Sequence, residues 1–288
     1  MQEHHGVDIN VSAVRNITEK HAERANELLC SLPKEKGVSS QIIIEMDGMM
    51  LPLVEYKESD DRRKSKSNLW AELRVGAVQR VNELEWKYAS SFASTDDLGD
   101  RVSQIAKIIG LTEEMSVHGV GDGALWIVEQ GERIAGQNYT HLIDLFHLCE
   151  YFGKAVRAWC KEEEVKQEVE SLKETAVERG IERVVSELKD NLTNAPNHEG
   201  LMKCLKYIAN RPGQFKYQEA KEKGLPIGSG KIESTHRHLM QKRLKKPGMW
   251  WKRKNADHMA DLRTLRANGG WELLWQEEKH QDQVKIAA

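Results

Sequence analysis

The stretch Gln41 to Val54, QIIIEMDGMMLPLV, constrains this chain more than any other. Three consecutive isoleucines, a further apolar run and too few helix formers make it a buried strand, with a carboxylate, Asp47, set along it. A chain of 288 residues that is 39% hydrophobic is long enough to build one large domain around such a strand, or one domain with a sizeable insertion.

The segments around that strand fall into a readable order. Val11 to Leu32 carries apolar residues close to helical spacing, with Ser12 as N-cap and Pro33 ending the run, and predicts one lead-in helix. A charged loop is expected from Lys57 to Asn68, and Leu69 to Ala77 and Lys87 to Phe92 then suit the second and third strands of an antiparallel meander. Thr95 to Gly110 predicts a helix, capped by Thr95 or Asp96 and stopped by Gly110. Ser116 to Gly121 is a short fourth strand that delivers Asp122, and Thr140 to Asp144 a fifth, leading into a helix that holds Phe146, His147, Tyr151 and Trp159. The expected order is three strands, helix, strand, strand, helix.

From Lys161 to Lys223 the composition turns into highly charged helix, broken by NAPNHEG; mixed charge at short spacing reads as a solvated helix face, and sustained heptads are missing. After Gly224 the turn sequence GLPIGSG precedes a helix in which Glu233 is the only acidic residue between Lys231 and Lys254, against nine Lys or Arg. With Trp250 and Trp251 interleaved, that segment suits a phosphate backbone lying beside it, with Lys231, Arg237, Lys242, Arg243, Lys245 and Lys246 as backbone contacts; the plainer alternative is a basic surface helix that binds nothing. Gly228 and Gly230 are expected to let the chain turn tightly before this helix.

Three acidic residues stand out in their local grammar: Asp47 in IIIEMDGMML, Asp122 in GVGDGALWIVEQ, and Glu233 on the first turn of the basic helix. Oxygen ligands of this kind hold hard divalent cations such as magnesium or manganese. Each residue also has an ordinary explanation, since Asp-Gly is a common turn pair and acidic residues favour helix N-termini. Asp144 and His147, in HLIDLFHLCEY, are further candidates, with a core histidine as the equal alternative. His118 lies just ahead of the GDG turn, Trp126 reads as core more than as a base-stacking platform, and His236 and His238 alternate faces, which argues against both serving one metal.

The remaining features exclude more than they assign. Lys plus Arg nearly balance Asp plus Glu, for a net charge of -2, which says little about partners. Cys30, Cys149, Cys160 and Cys204 have no CxxC spacing and read as buried, reduced thiols, not as a zinc or redox site. No apolar stretch approaches the roughly 20 residues that cross a bilayer, and the polar MQEHHGVDINV is no signal peptide, so the expected location is cytoplasmic, with no membrane partner.

The run IGSGKIEST followed by KRLKKPGMWW, the earlier GDGALWI and the tail ADLRTLRANGGWELLW together resemble the ISKra-type insertion-sequence transposases, a bacterial group of DDE enzymes. The likeness runs from about Gln41 to Trp275, with the motifs in the family's order. It implies an α/β fold: an RNase H-like five-stranded mixed sheet flanked by helices, with a mainly helical insertion before the last acidic residue. On that plan residues 1–40 are a helical lead-in, 41–160 the first part of the core, 161–223 the insertion, and 224–288 the C-terminal helices with the basic segment.

The resemblance further implies that Asp47, Asp122 and Glu233 are catalytic and hold Mg2+ or Mn2+, as two ions, with Asp47 bridging them. Asp144 and His147 match an acidic-x-x-His signature of related Mutator-type transposases. The chemistry would be metal-dependent hydrolysis at insertion-sequence ends and strand transfer into target DNA, by a homo-oligomer on double-stranded DNA. Similar transposases carry a longer amino-terminal region that recognises the ends, whereas here about one helix precedes the catalytic strand. Two alternatives stay open: a truncated remnant that only binds DNA, and another RNase H-like nuclease.

Overall fold

In the computed structural model of the protein, residue 6 and residues 8–35, 37, 39–56, 66–195 and 198–275 are described. The centre is a five-stranded sheet in the order β3-β2-β1-β4-β5, made of β1 (Gln41–Tyr56), β2 (Lys66–Arg80), β3 (Trp86–Ser91), β4 (Ser116–Gly121) and β5 (Tyr139–Ile143). β1, β2 and β3 form an antiparallel meander, whereas β4 and β5 run parallel to β1. Parallel neighbours need crossovers, which are helical here. α3 (Thr95–Ile108) leads from β3 to β4, and α4 (Leu125–Ala135) leads from β4 to β5.

The three isoleucines of β1 show why its sequence does not alternate. Ile42 and Ile44 enter one apolar core, with α1 (Val11–Glu23), α2 (Ala25–Cys30), α3 and α11 (Arg253–Ala267), while Ile43 enters a second on the opposite face. A strand covered on both faces reads as a continuous apolar run. The second core is closed by α5 (Leu145–Ala155) and by the charged helices α6 (Val165–Glu178), α7 (Ile181–Asn194), α8 (Glu199–Ala209) and α9 (Tyr217–Glu222). Their buried Leu172, Val184, Leu188, Leu201 and Tyr217 thus share a core with Leu142 and Ile143 of the sheet. The α/β class and the five-stranded mixed sheet flanked by helices are what the chain adopts.

Several local expectations are corrected. α4 was missed, so the order is three strands, helix, strand, helix, strand, helix; no side chain caps it, and Gly131 in its middle gives way to the ring of Tyr139. The lead-in is two helical segments meeting at Arg24, and its N-cap is Asn10, which accepts from Ala13 N at 2.7 Å, in place of Ser12. Ser94, not Thr95 or Asp96, caps α3. Lys66 to Asn68 belong to β2, while 57–65 of the expected loop lie outside the described residues. Of the cysteines only Cys204 is buried; Cys30 is exposed and the other two are partly covered.

The exposed edge of β3 is closed by a side chain. Asn268, just past α11, accepts from Tyr88 N at 2.8 Å and donates to Tyr88 O at 2.9 Å, which satisfies a backbone pair that an edge strand leaves open. Among the described residues no helix is long and apolar enough to cross a membrane.

Candidate active site

Glu45 of β1 stands opposite Val120 of β4, and Gly121 of β4 opposite Ile143 of β5. Carried forward, that register puts Asp47, Asp122 and Asp144 on one line across three adjacent strands, at the ends where β4 and β5 finish. Asp47 is no turn residue, because β1 runs on through Gly48 to Tyr56. The sheet alone therefore gathers three carboxylates from segments far apart in sequence.

The fourth comes from α10 (Gly230–Thr235), whose first turn carries Glu233. Two buried carboxylates hold the start of this helix. Asp144, 4% exposed, accepts from both the N–H and, at 2.6 Å, the hydroxyl of Ser229. Glu45, 2% exposed and two residues before Asp47 on the same strand, accepts from Ile232 N at 2.8 Å. The other oxygen of Asp144 caps α5, accepting from His147 N at 2.8 Å, so the acidic-x-x-His spacing is that of an N-cap and the residue it caps.

The result is a cleft of about 180 Å³ whose walls include Asp47, Asp122, Asp144, His147, Glu150 and Glu233. The three residues singled out as catalytic and the two as supporting are thus brought together, and Glu150 joins them. Glu233 is exposed, Asp122 partly covered, and the Asp47 side chain 39% exposed.

Burial pushes the Asp47 carboxyl up to about 6. The N–H of Gly48, donated at 2.7 Å, opposes this, and the negative charges of Asp122, Glu72 and Glu233 reinforce it. Its basic neighbour is His236, with Nδ1 3.5 Å from Asp47 Oδ2; burial holds that imidazole down to about 4, so it is neutral near pH 7 and supplies no counter-charge. Glu45 is pushed up to about 7, first by burial. The cleft holds more negative charge than its protein surroundings offset.

That imbalance and the predominance of carboxylate oxygens in the lining fit a hard divalent cation. Among the described residues, no group of three or more His, Cys, Asp or Glu side chains is placed to hold a metal ion.

Sequence reasoning missed the residues that hold the Asp122 loop. Tyr207 of α8 donates its hydroxyl to Asp122 O at 2.7 Å, and Arg211 donates through two nitrogens to Gly123 O at 3.2 and 3.1 Å while lying 3.9 Å over the Tyr207 ring. Tyr151 stacks on the Tyr207 ring, 3.9 Å between centroids. The helical insertion is therefore built into the site's floor. It missed Glu45 as well, although a second carboxylate at i−2 from Asp47 on a buried strand was a usable signal.

α10 continues into a π-helical stretch, His236–Gln241, then Lys242–Leu244. The π turn brings His236 inward and leaves His238 exposed, and Arg263 donates to the carbonyls of His238 and Leu239. Of the expected DNA contacts, Arg237, Lys242, Lys245 and Lys246 are exposed, and Arg243 lies 5.1 Å over Trp251. Lys231 sits 5.4 and 5.5 Å over the rings of Trp86 and Tyr88, committed to β3. Gly228 and Gly230 do not take the positive φ expected of a tight turn; Gly228 instead passes close to the Phe146 ring. Trp126 packs partly buried against the core. His118 is not in the cleft: its Nε2 lies 2.9 Å from Pro226 O, beside a cavity of about 400 Å³ at the opposite end of the parallel strands.

Fold and site together define an α/β protein built on a five-stranded mixed sheet, with a carboxylate cleft at the ends of its parallel strands. Residues 20–282 match the uncharacterised protein family UPF0236, and the chain belongs to that family. It is similar to the "UPF0236 protein in vanSb 3'region" of Streptococcus gallolyticus, at 20% identity over 274 residues covering 94% of this chain, and it spans 59% of that relative's length. Among solved structures it is similar to the Drosophila P element transposase strand transfer complex, at 9% identity over 97% of this chain and 83% of that one, with a TM-score of 0.29, too loose a superposition to define a common fold.

Proposed function

We propose that this chain is the catalytic core of a DDE transposase of the ISKra-like kind its motifs resemble, cutting and joining double-stranded DNA at insertion-sequence ends. The observation that carries the reading is convergence: Asp47, Asp122 and Glu233, from a central strand, a loop and a helix after an insertion, line one cleft. Three turn or cap residues with unrelated local roles have no reason to meet.

Asp47, Asp122 and Glu233 would hold magnesium or manganese, as two ions, with their carboxylates turning toward one another on binding. The ions supply activation of the attacking oxygen and stabilisation of the leaving one. The chain's own residues do the rest. Asp47 and its acidic neighbours set a negative field that repels a phosphate unless cations offset it, which makes the cleft silent without metal. Glu45 and Asp144 fix the helix that carries Glu233. Tyr207 and Arg211 fix the loop that carries Asp122. Exposed Arg237, Lys242, Lys245 and Lys246 meet the DNA backbone as charge, without reading sequence. Assembly as a homo-oligomer on paired ends, and a cytoplasmic location, belong to the same reading.

The test is cleavage of a labelled duplex carrying the DNA that flanks the gene, with any inverted repeat it contains, in magnesium or manganese. Nicking at the repeat by the parent and none by Asp122→Ala supports the proposal. Salt-sensitive binding without nicking by either protein sinks it in favour of a DNA-binding remnant, and nicking indifferent to the repeat favours a nuclease of another substrate.

A further inference from the structure

The β1–β2 ribbon carries a surface that the cleft does not use. Tyr56 and Trp70 are 59% and 52% exposed on it. The chain after α10 folds back along this ribbon, where Trp251 O accepts from Val54 N at 2.8 Å. That contact sets Trp250 edge-on to Trp70, with 6.4 Å between ring centroids. It also puts an ammonium group beside each ring: Lys245 lies 5.4 Å from Trp70, Lys66 5.9 Å from Trp250, and Lys252 5.6 Å from Tyr56.

We infer that this aromatic and basic surface is a platform on which unpaired bases of single-stranded DNA stack. The inference rests on the reading of the cleft as a DNA-cleaving site for its choice of nucleic acid. Ring faces stack bases of any sequence, and the ammonium group 5.4 to 5.9 Å over each ring centroid meets the phosphate of a base stacked on the ring's other face. A duplex keeps its bases stacked on one another and offers the rings nothing, so the surface discriminates strandedness where lysines alone do not.

Position gives the platform a task. Trp70 stands opposite Pro52, five residues past Asp47 on β1, which at a strand rise of about 3.3 Å is about 17 Å along the ribbon, and the odd offset puts the ring on the other face of the ribbon from the Asp47 carboxylate. A strand unpaired near the cut reaches the rings by passing over the edge of the ribbon, and stacking there holds it away from its complement.

The experiment measures anisotropy of a labelled oligothymidylate and of a blunt duplex of equal length, using the full chain, Trp70→Ala, Trp70→Phe and Lys245→Gln. Single-strand affinity is expected to fall at least about fivefold in Trp70→Ala and to return largely in Trp70→Phe, with duplex affinity unchanged by either. Lys245→Gln is expected to weaken single-strand binding and lower its salt dependence. No loss of single-strand affinity in Trp70→Ala, or an equal loss for both DNAs, overturns the proposal. Nicking and strandedness are read on the same parent protein: failure to nick reports on the cleft, and failure to discriminate strandedness reports on the platform.

Discussion

Asp47 and Asp261 are both carboxylates that burial pushes up, to about 6 and about 7. What faces them differs. Asp261 accepts from Arg101 Nη1 at 2.8 Å, and the same guanidinium donates to Ser90 O at 3.0 Å, tying α11 to α3 and β3. Asp47 faces Asp122, Glu72 and Glu233 as charges and a neutral His236 as its basic neighbour. Burial is common to both, so it does not mark function; a buried charge that the chain has not answered does.

The comparison breaks most easily at the answered site. Arg101→Ala leaves Asp261 buried without its partner and is expected to cost about 3 to 5 kcal/mol in denaturant unfolding, much of it recovered when Asp261→Asn is added. A small cost would mean the pair is no more structural than the cleft. At the unanswered site, Tyr207→Phe removes one hydrogen bond to the Asp122 loop, with an expected loss of about 1 kcal/mol and a fall in nicking without a fall in duplex binding. Equal falls in both would place Tyr207 in folding alone.

Asp47→Asn inverts the sign. Removing an unoffset charge is expected to stabilise the metal-free protein at pH 8, by about 1 kcal/mol or less because solvent reaches a side chain 39% exposed. A carboxyl whose folded value is raised contributes stability fully below its unfolded value near 3.8 and loses it as pH rises through about 6. The advantage of Asp47→Asn should therefore vanish below pH 4, as read from paired unfolding curves. An advantage that persists at pH 4 contradicts the assignment to this group. For the same reason, metal-dependent nicking is expected to rise as pH passes about 6 and Asp47 ionises.

Strands announce themselves in this sequence where both faces are covered, as in β1, or where a short apolar run ends at an acidic residue, as in β4. α4 did not, because LWIVEQGERIA lacks a capping side chain and carries a glycine whose role, room for Tyr139, belongs to tertiary packing. The acidic positions of the cleft were legible because their flanks are distinctive. The residues that aim them were not: Glu45 reaches Ile232 across 187 residues, and Tyr207 reaches Asp122 across 85. Such contacts leave no periodicity to read.

The most direct measurement is manganese binding to the full chain, followed by electron paramagnetic resonance, in the parent and in Asp47→Asn, Asp122→Asn and Glu233→Gln, with Asp261→Asn as the control from the answered site. Binding weakened at least about tenfold by each of the first three and untouched by the fourth is the result expected of a cation site built from unanswered carboxylates. Binding that survives all three substitutions, or that falls equally in Asp261→Asn, contradicts it.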